Sequence, residues 1–124
     1  MIIAIAHNLM TDPDNEMQAE YDTPETIKFL SDNFEKLGHK VVLLELSRPL
    51  NVILKDLKKI HPDLIFNISE GNHGKMREAF WPIIFEELGI PFTGSDSRTM
   101  AINLDKNLTK QLVEAVGVRV PRGF

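Results

Sequence analysis

Blocks of apolar residues along the chain predict four short strands that alternate with amphipathic helices. Ile2 to Ala6 is uniformly apolar, which is typical of a parallel strand covered on both faces. Three further short apolar runs predict strands at Val41 to Leu46, Leu64 to Ile68 and Ile90 to Thr93. Between the strands, apolar residues recur at helical spacing. These stripes are Ile27, Leu30, Phe34 and Leu37; Leu50, Ile53, Leu54, Leu57 and Ile60; and Phe80, Ile83, Ile84 and Leu88.

Residues that start and stop helices stand at the edges of these stripes. Thr23 is suited to cap the first helix, Pro24 to its first turn and Gly38 to its end. Pro82 lies inside the third stripe, so we expect that helix to begin close before it. After the fourth strand, a short helix through Met100, Ala101 and Leu104 and a last helix from about Asn107 to Val116 are predicted.

This order of elements predicts the α/β class. We expect a three-layer α/β/α, Rossmann-like domain with a four-stranded parallel sheet in the order 2-1-3-4. In that order the winding reverses between strands one and three, where ligands bind in such sheets. The loops that meet there are residues 7–22 and 69–76. The first is far longer than the usual 2 to 6 residues, which predicts either a functional or a disordered loop.

The loop after the third strand carries polar groups that suit a ligand. Gly71 and Gly74 would let the backbone approach a bound molecule closely, and Glu70 can accept hydrogen bonds. Donors come from Asn72, His73 and Lys75. An ordinary connection whose glycines only serve turns fits the same residues. Glu16, Glu20 and Asp22 read as a solvated acidic loop unless the reversal of winding places them at a ligand site.

Composition excludes several classes of protein. The chain has 124 residues, about one domain, with 43% hydrophobic and 26% charged residues, and no run approaches the roughly 18 apolar residues of a membrane span. A net charge of -4 argues against non-specific nucleic-acid binding. The absence of cysteine excludes disulfides and thiolate metal sites, and it fits a cytoplasmic protein.

Common nucleotide and metal motifs are missing from the places where they would stand. The residues after the first strand are His7, Asn8 and Leu9 rather than G-x-G-x-x-G, and there is no P-loop. A phosphoreceiver module would need an aspartate at the end of the third strand, where this chain has Asn67. His7 is predicted to anchor its loop rather than act as a base. The four histidines, His7, His39, His61 and His73, have no metal-ligand spacing, so no metal site is predicted.

Several motifs in order resemble the N-terminal region of D-alanine–D-alanine ligase and its close ATP-grasp relatives. They are FNISEG at 66–71, GKMREA at 74–79, LGIPFTGS at 88–95, LDK at 104–106, TK at 109–110 and the segment from Gly117 to Pro121. The loop-to-helix segment EYDTPET at 20–26 is similar to the same family. The resemblance covers essentially the whole chain.

The resemblance implies an ATP-dependent carboxylate-amine ligase of cell wall peptidoglycan biosynthesis, which activates a carboxylate as an acyl phosphate. It places Glu20 where a glutamate holds the ammonium group of the first D-alanine, and Lys106 where a lysine contacts ATP phosphates. Gly71 and Gly74 match the loop lining the substrate cleft. Glu70, also assigned to substrate binding, stands where the ligases usually have histidine. The implied cofactors are ATP and Mg²⁺.

By the same resemblance, residues 1–104 form a pre-ATP-grasp substrate domain and residues 105–124 begin a truncated ATP-grasp region. The nucleotide-clamping domains and magnesium ligands of the family would lie beyond Phe124. We therefore expect no ligase activity from this chain alone, which would be a fragment or act with a partner chain; a homodimer is also compatible with the sequence. The alternative is a stand-alone binding or interaction module that kept the fold and lost the chemistry.

Overall fold

The computed structural model describes residues 1–122, so the last two residues of the predicted 105–124 segment lie outside the described residues. The elements in chain order are β1 (Ile2–His7), a 3₁₀ turn (Glu16–Gln18), α1 (Pro24–Lys36), β2 (Lys40–Glu45), α2 (Leu50–Ile60), β3 (Leu64–Asn67), α3 (Arg77–Glu87), α4 (Ser97–Asn103) and α5 (Lys106–Ala115). Strands and helices alternate as the apolar pattern predicted, which confirms the α/β class.

The sheet is parallel and β1 lies at its centre. The strand order is β2-β1-β3, with Ala4 of β1 opposite Val42 of β2 and Ile65 of β3. The predicted order of the first three strands and the reversal of winding at β1 are therefore correct. The carboxyl ends of all three strands meet at one edge, where their loops come together.

The fourth predicted strand is wrong in its extent. In the described residues the sheet has three strands, and residues 90–93 contribute only an isolated parallel bridge between Ile65 and Phe92. The Ile65 amide donates to the Pro91 carbonyl at 2.8 Å, and the Thr93 amide donates to the Ile65 carbonyl at 2.9 Å. Pro91 has no amide hydrogen to extend this pairing. The segment thus lies at the predicted edge of the sheet without forming a strand.

Helices cover both faces of the sheet. On one face, the side chains of Ala4 and Ala6 belong to a buried cluster to which α2 contributes Ile53 and Leu57 and α3 contributes Trp81 and Phe85. On the other face, Phe34 of α1 meets Phe66 of β3 edge to face, with ring centroids 5.1 Å apart. This is the expected three-layer arrangement.

Two features of the helices bear on the predictions. The third helix begins at Arg77, so Pro82 is buried within it rather than near its start, and the expected boundary is wrong. The other helices begin and end within about one residue of the edges read from the sequence, and Thr23 caps α1 by accepting from the Thr26 amide. No helix in residues 1–122 is long and apolar enough to cross a membrane.

Candidate functional site

The long loop after β1 is closed at its base and ordered by its own hydrogen bonds. The Asp22 amide donates to the Asn8 carbonyl at 3.0 Å, and the Met10 amide donates to the Asp22 carbonyl at 2.8 Å. Near the tip, the Gln18 side-chain oxygen accepts from the amides of Thr11 and Asp12 at 2.8 and 3.0 Å. These contacts argue against the disordered alternative, and a functional role for the loop stays a prediction.

Asn8 joins the three loops at the carboxyl edge of the sheet. Its side chain is 1% exposed, and its oxygen accepts from the amides of Glu70 and Gly71, both at 3.0 Å. Its amide nitrogen donates to Ser47 Oγ at 3.0 Å and to Asn72 Oδ1 at 2.9 Å. All the hydrogen-bonding capacity of this buried amide is therefore used to fix the loops that follow β1, β2 and β3.

A second set of contacts holds the loop after β3. The Asn72 side chain donates to the Leu46 carbonyl at 3.1 Å, and the Tyr21 hydroxyl donates to the Gly71 carbonyl at 3.3 Å. Burial is the main cause that raises the Tyr21 pKa, and the negative charge of Glu45 adds to it. The hydroxyl therefore stays protonated and able to donate across the ordinary pH range.

The two glycines of this loop differ in how strongly the fold requires them. Gly71 is buried with φ +72°, and a Cβ there would lie 2.1 Å from the Arg77 carbonyl oxygen. Gly74 has φ +85° but open space where a Cβ would stand. Gly71 therefore permits a close approach of two backbone segments, whereas Gly74 only permits the turn.

A cleft of about 450 Å³ opens between the long loop and the loop after β3. At its wall, Arg77 Nη2 donates to Glu20 Oε2 at 2.5 Å, and Glu78 lies 3.4 Å from the same nitrogen. The lining residues are Glu16, Met17, Ala19, Glu20, Gly71, Asn72, His73, Gly74 and Arg77. Opposite charges thus stand side by side in a partly enclosed space of the size that ligand sites have.

Carboxylates outnumber the arginine around this cleft. Partial burial raises the pKa of the Glu70 carboxyl, the negative charges of Glu78 and Glu20 raise it further, and Arg77 opposes them. Burial also raises the pKa of Asp22, which His7 partly counteracts. Negative charge is therefore in surplus here, which favours a ligand that brings positive charge.

A second cleft of about 620 Å³ adjoins the first, since Gly74 and Arg77 line both. Its other lining residues are Lys75, Leu104, Asp105, Lys106 and Asn107. Asp105 caps α5 by accepting from the amides of Asn107 and Leu108, both at 3.0 Å, so Lys106 is the first residue of that helix. Lys106 thus lies next to the loop after β3 although it is distant in sequence.

The structure brings most of the predicted site residues together. Glu20, Gly71 and Gly74 line the first cleft, and Lys106 lines the second. Glu70 lies near enough to Glu20 and Arg77 for their charges to affect its pKa. Their roles toward a ligand stay predictions.

Sequence reasoning gave no role to two residues that organise this edge, Asn8 and Arg77. A small polar residue two positions after the uniformly apolar run from Ile2 to Ala6 was the available signal for Asn8. No such signal marked Arg77, because the sequence placed the start of that helix close before Pro82 and left Arg77 in the loop, whereas the structure begins the helix at Arg77.

The histidines do not form a metal site in the described residues, where no group of three or more histidine, aspartate or glutamate side chains is arranged to hold an ion. His7 is 3% exposed, and its Nδ1 donates to the Ile5 carbonyl at 2.9 Å. That contact ties the His7 ring to its own strand, and the predicted role of His7 as an anchor of the loop stays a prediction.

The fold and the cleft define an α/β domain with a candidate small-molecule site at the carboxyl edge of a parallel sheet. No family model matches the chain. It is homologous to the N-terminal region of D-alanine–D-alanine ligases, which confirms the resemblance read from the motifs. It is 33% identical to the Aquifex aeolicus enzyme over 96 residues, 77% of this chain and 31% of that enzyme. The Moorella thermoacetica enzyme is 34% identical over 86 residues, 69% of this chain and 26% of that enzyme.

Solved structures carry the same fold. The chain matches the crystal structure of D-alanine–D-alanine ligase from Bacillus anthracis with a TM-score of 0.69 at 21% identity, over 98% of this chain and 37% of that one. The ATP complex of the same ligase matches with a TM-score of 0.67. The chain therefore spans about a third of the length of the relatives it matches.

The two glycines give a matched test of the close approach at Gly71. Gly71→Ala is expected to lower the free energy of unfolding by roughly 2 to 5 kcal/mol, because backbone strain and a clash with Arg77 add. Gly74→Ala meets strain alone and is expected to cost about 1 to 2 kcal/mol. Urea unfolding measures both, and equal losses would contradict the close approach.

Glu70 predicts a dependence of stability on pH. Its folded pKa is raised, so the stability it contributes is present below its unfolded pKa and is lost as pH rises through the folded pKa. Glu70→Gln should therefore unfold at higher urea than the unchanged chain at pH 7. The difference should vanish below about pH 4, where the unfolded glutamate is also protonated. A variant no more stable at pH 7 would argue against this environment.

Proposed function

We propose that this chain is the N-terminal substrate-binding part of an ATP-dependent carboxylate-amine ligase like the D-alanine–D-alanine ligases. The observation that carries the proposal is the cleft in which Glu20, Gly71 and Gly74 meet, in a chain 33% identical to such a ligase. In the proposed reaction a carboxylate is activated as an acyl phosphate and then attacked by an amine. Residues 1–104 would form the substrate domain and residues from 105 onward would begin the ATP-grasp region.

Glu20 is proposed to bind the ammonium group of the first amino acid. Its side chain is 62% exposed, lines the cleft and contacts Arg77 through one carboxylate oxygen, Oε2. The surplus of negative charge from Glu70 and Glu78 supports binding of a cation at this position. A charge-assisted hydrogen bond between ammonium and carboxylate is about twice as strong as a neutral one.

The residues that line the second cleft support the proposed binding of ATP phosphates. Lys75 and Arg77, from the loop and helix after β3, and Lys106, from the start of α5, bring three cations to this cleft, which suits phosphate oxygens. ATP would supply the phosphoryl group for carboxylate activation. The described residues hold no set of carboxylates arranged for Mg²⁺, so the metal ligands are proposed to come from other polypeptide.

Glu20→Gln tests the proposed ammonium site. It removes the negative charge while keeping the shape, so D-alanine should bind about 10-fold or more weakly. The measurement is the shift of the Gly71 and Gly74 amide signals in NMR titrations of the 124-residue chain with D-alanine. Glu35→Gln, a change of the same kind on α1, is the control. An unchanged dissociation constant for Glu20→Gln would remove the assignment.

Incubation with Mg²⁺, ATP and D-alanine tests whether the chain is active alone. No ADP should be released, because most of the groups that would stabilise phosphoryl transfer are proposed to lie elsewhere. The Bacillus anthracis ligase is the positive control in the same assay. Turnover by the 124-residue chain would contradict the proposed division of labour. Absence of D-alanine binding would favour the alternative, a non-catalytic interaction module with this fold.

A further inference from the structure

We infer that Arg77 is a specificity-determining residue that binds the carboxylate of the amino acid whose ammonium group Glu20 holds. The inference rests on the proposed function and adds a second point of recognition to the same cleft. Together, Glu20 and Arg77 would recognise an α-amino acid by both of its charges rather than any small amine.

The Arg77 guanidinium group has N-H donors that its ion pair with Glu20 does not use. A guanidinium group has five N-H donors. Among the described residues the Arg77 side chain donates one hydrogen bond, from Nη2 to Glu20, and the same nitrogen also pairs with Glu78 at 3.4 Å. The Arg77 side chain is 29% exposed and lines the cleft, so its remaining donors can reach a ligand there. Arginine suits carboxylates because its planar fork can donate two parallel hydrogen bonds.

The charges of Glu20 and Arg77 are complementary to those of a zwitterion. Glu20 and Arg77 place one negative and one positive group in direct contact at the cleft wall. An α-amino acid carries one ammonium and one carboxylate on the same carbon. Its ammonium can face Glu20 while its carboxylate faces Arg77. A zwitterion can therefore lie against the pair with each charge next to its opposite.

The loop after β3 holds Arg77 in position at the cleft. The loop after β3 is fixed by Asn8, and Gly71 lets that loop pass directly over the Arg77 backbone. The arginine is thereby held at the start of α3, close to the substrate loop. Donors that are already positioned favour binding because they lose little conformational entropy when the ligand binds.

The carboxylates near Arg77 oppose binding of a ligand carboxylate. Glu70 and Glu78 would favour a bare cation over a zwitterion if Arg77 took no part, because they repel the ligand carboxylate. A preference for the zwitterion therefore requires a cation that offsets them. Arg77 lines the cleft and contacts Glu20, and so it is placed to do this.

The test compares D-alanine with D-alaninamide, which keeps the ammonium group and lacks the carboxylate. Both are titrated into the 124-residue chain and into Arg77→Gln, with the Gly71 and Gly74 amide signals as the readout. The unchanged chain should bind D-alanine about 10- to 100-fold more tightly than D-alaninamide, the range expected for a charged hydrogen bond. In Arg77→Gln that ratio should fall to about one or below.

Two further variants separate recognition from folding. Arg98→Gln makes the same change at an exposed arginine of α4 and should keep the ratio of the unchanged chain. Arg77→Lys keeps the charge but not the fork, and should give an intermediate ratio. Thermal unfolding of each variant shows whether it is folded. If Arg77→Gln is not folded, the ratio measured for Arg77→Lys is compared with that of the unchanged chain.

The outcomes distinguish this inference from the proposed function. If D-alanine binds but the ratio is the same in the unchanged chain and in both Arg77 variants, the inference is overturned and the ammonium site of Glu20 stands. An unchanged chain that prefers D-alaninamide overturns it in the same way. If neither compound binds the unchanged chain, both the inference and the proposed function fail.

Discussion

The buried side-chain amide of Asn8 is the contact on which the arrangement of the cleft depends. Its four hydrogen bonds reach the loops that follow β2 and β3 from the loop that follows β1. Each such bond contributes about 0.5 to 1.5 kcal/mol, and a buried amide left without partners would cost more. One fully satisfied side chain therefore sets the distances between three segments of backbone that would otherwise move independently.

Charge at this edge follows from the same arrangement. Glu20 comes from the long loop after β1, whereas Glu70 and Arg77 come from the loop and helix after β3. Fixing the loops brings these groups within reach of one another. The pKa of Glu70 is raised mainly by burial, then by the charges of Glu78 and Glu20, while Arg77 opposes the shift. A helix that starts with an arginine is tolerated because the carboxylates of Glu20 and Glu78 lie next to it.

The chain covers about a third of the length of the relatives it matches. The first cleft carries the groups proposed for the amino acid, and the second is lined by the cations Lys75, Arg77 and Lys106. Gly74 and Arg77 line both clefts, so the two proposed ligands would meet at the loop after β3. The similarity to D-alanine–D-alanine ligases and the geometry of the described residues therefore favour the same assignment.

The sequence by itself determined the class of fold, the central place of β1 and nearly all helix ends, because apolar periodicity and capping residues such as Thr23 act locally. The sequence predicted the start of α3 and the extent of the segment around Pro91 wrongly. Packing decides whether a proline such as Pro82 lies inside a helix, and whether a segment such as that around Pro91 pairs along the whole length of a strand. Only the tertiary structure assigned Asn8, whose side-chain partners are 39 to 64 residues away in the chain. The pairing of Glu20 with Arg77 across 57 residues was hidden for the same reason: hydrogen bonds depend on distance in space, which sequence spacing does not give.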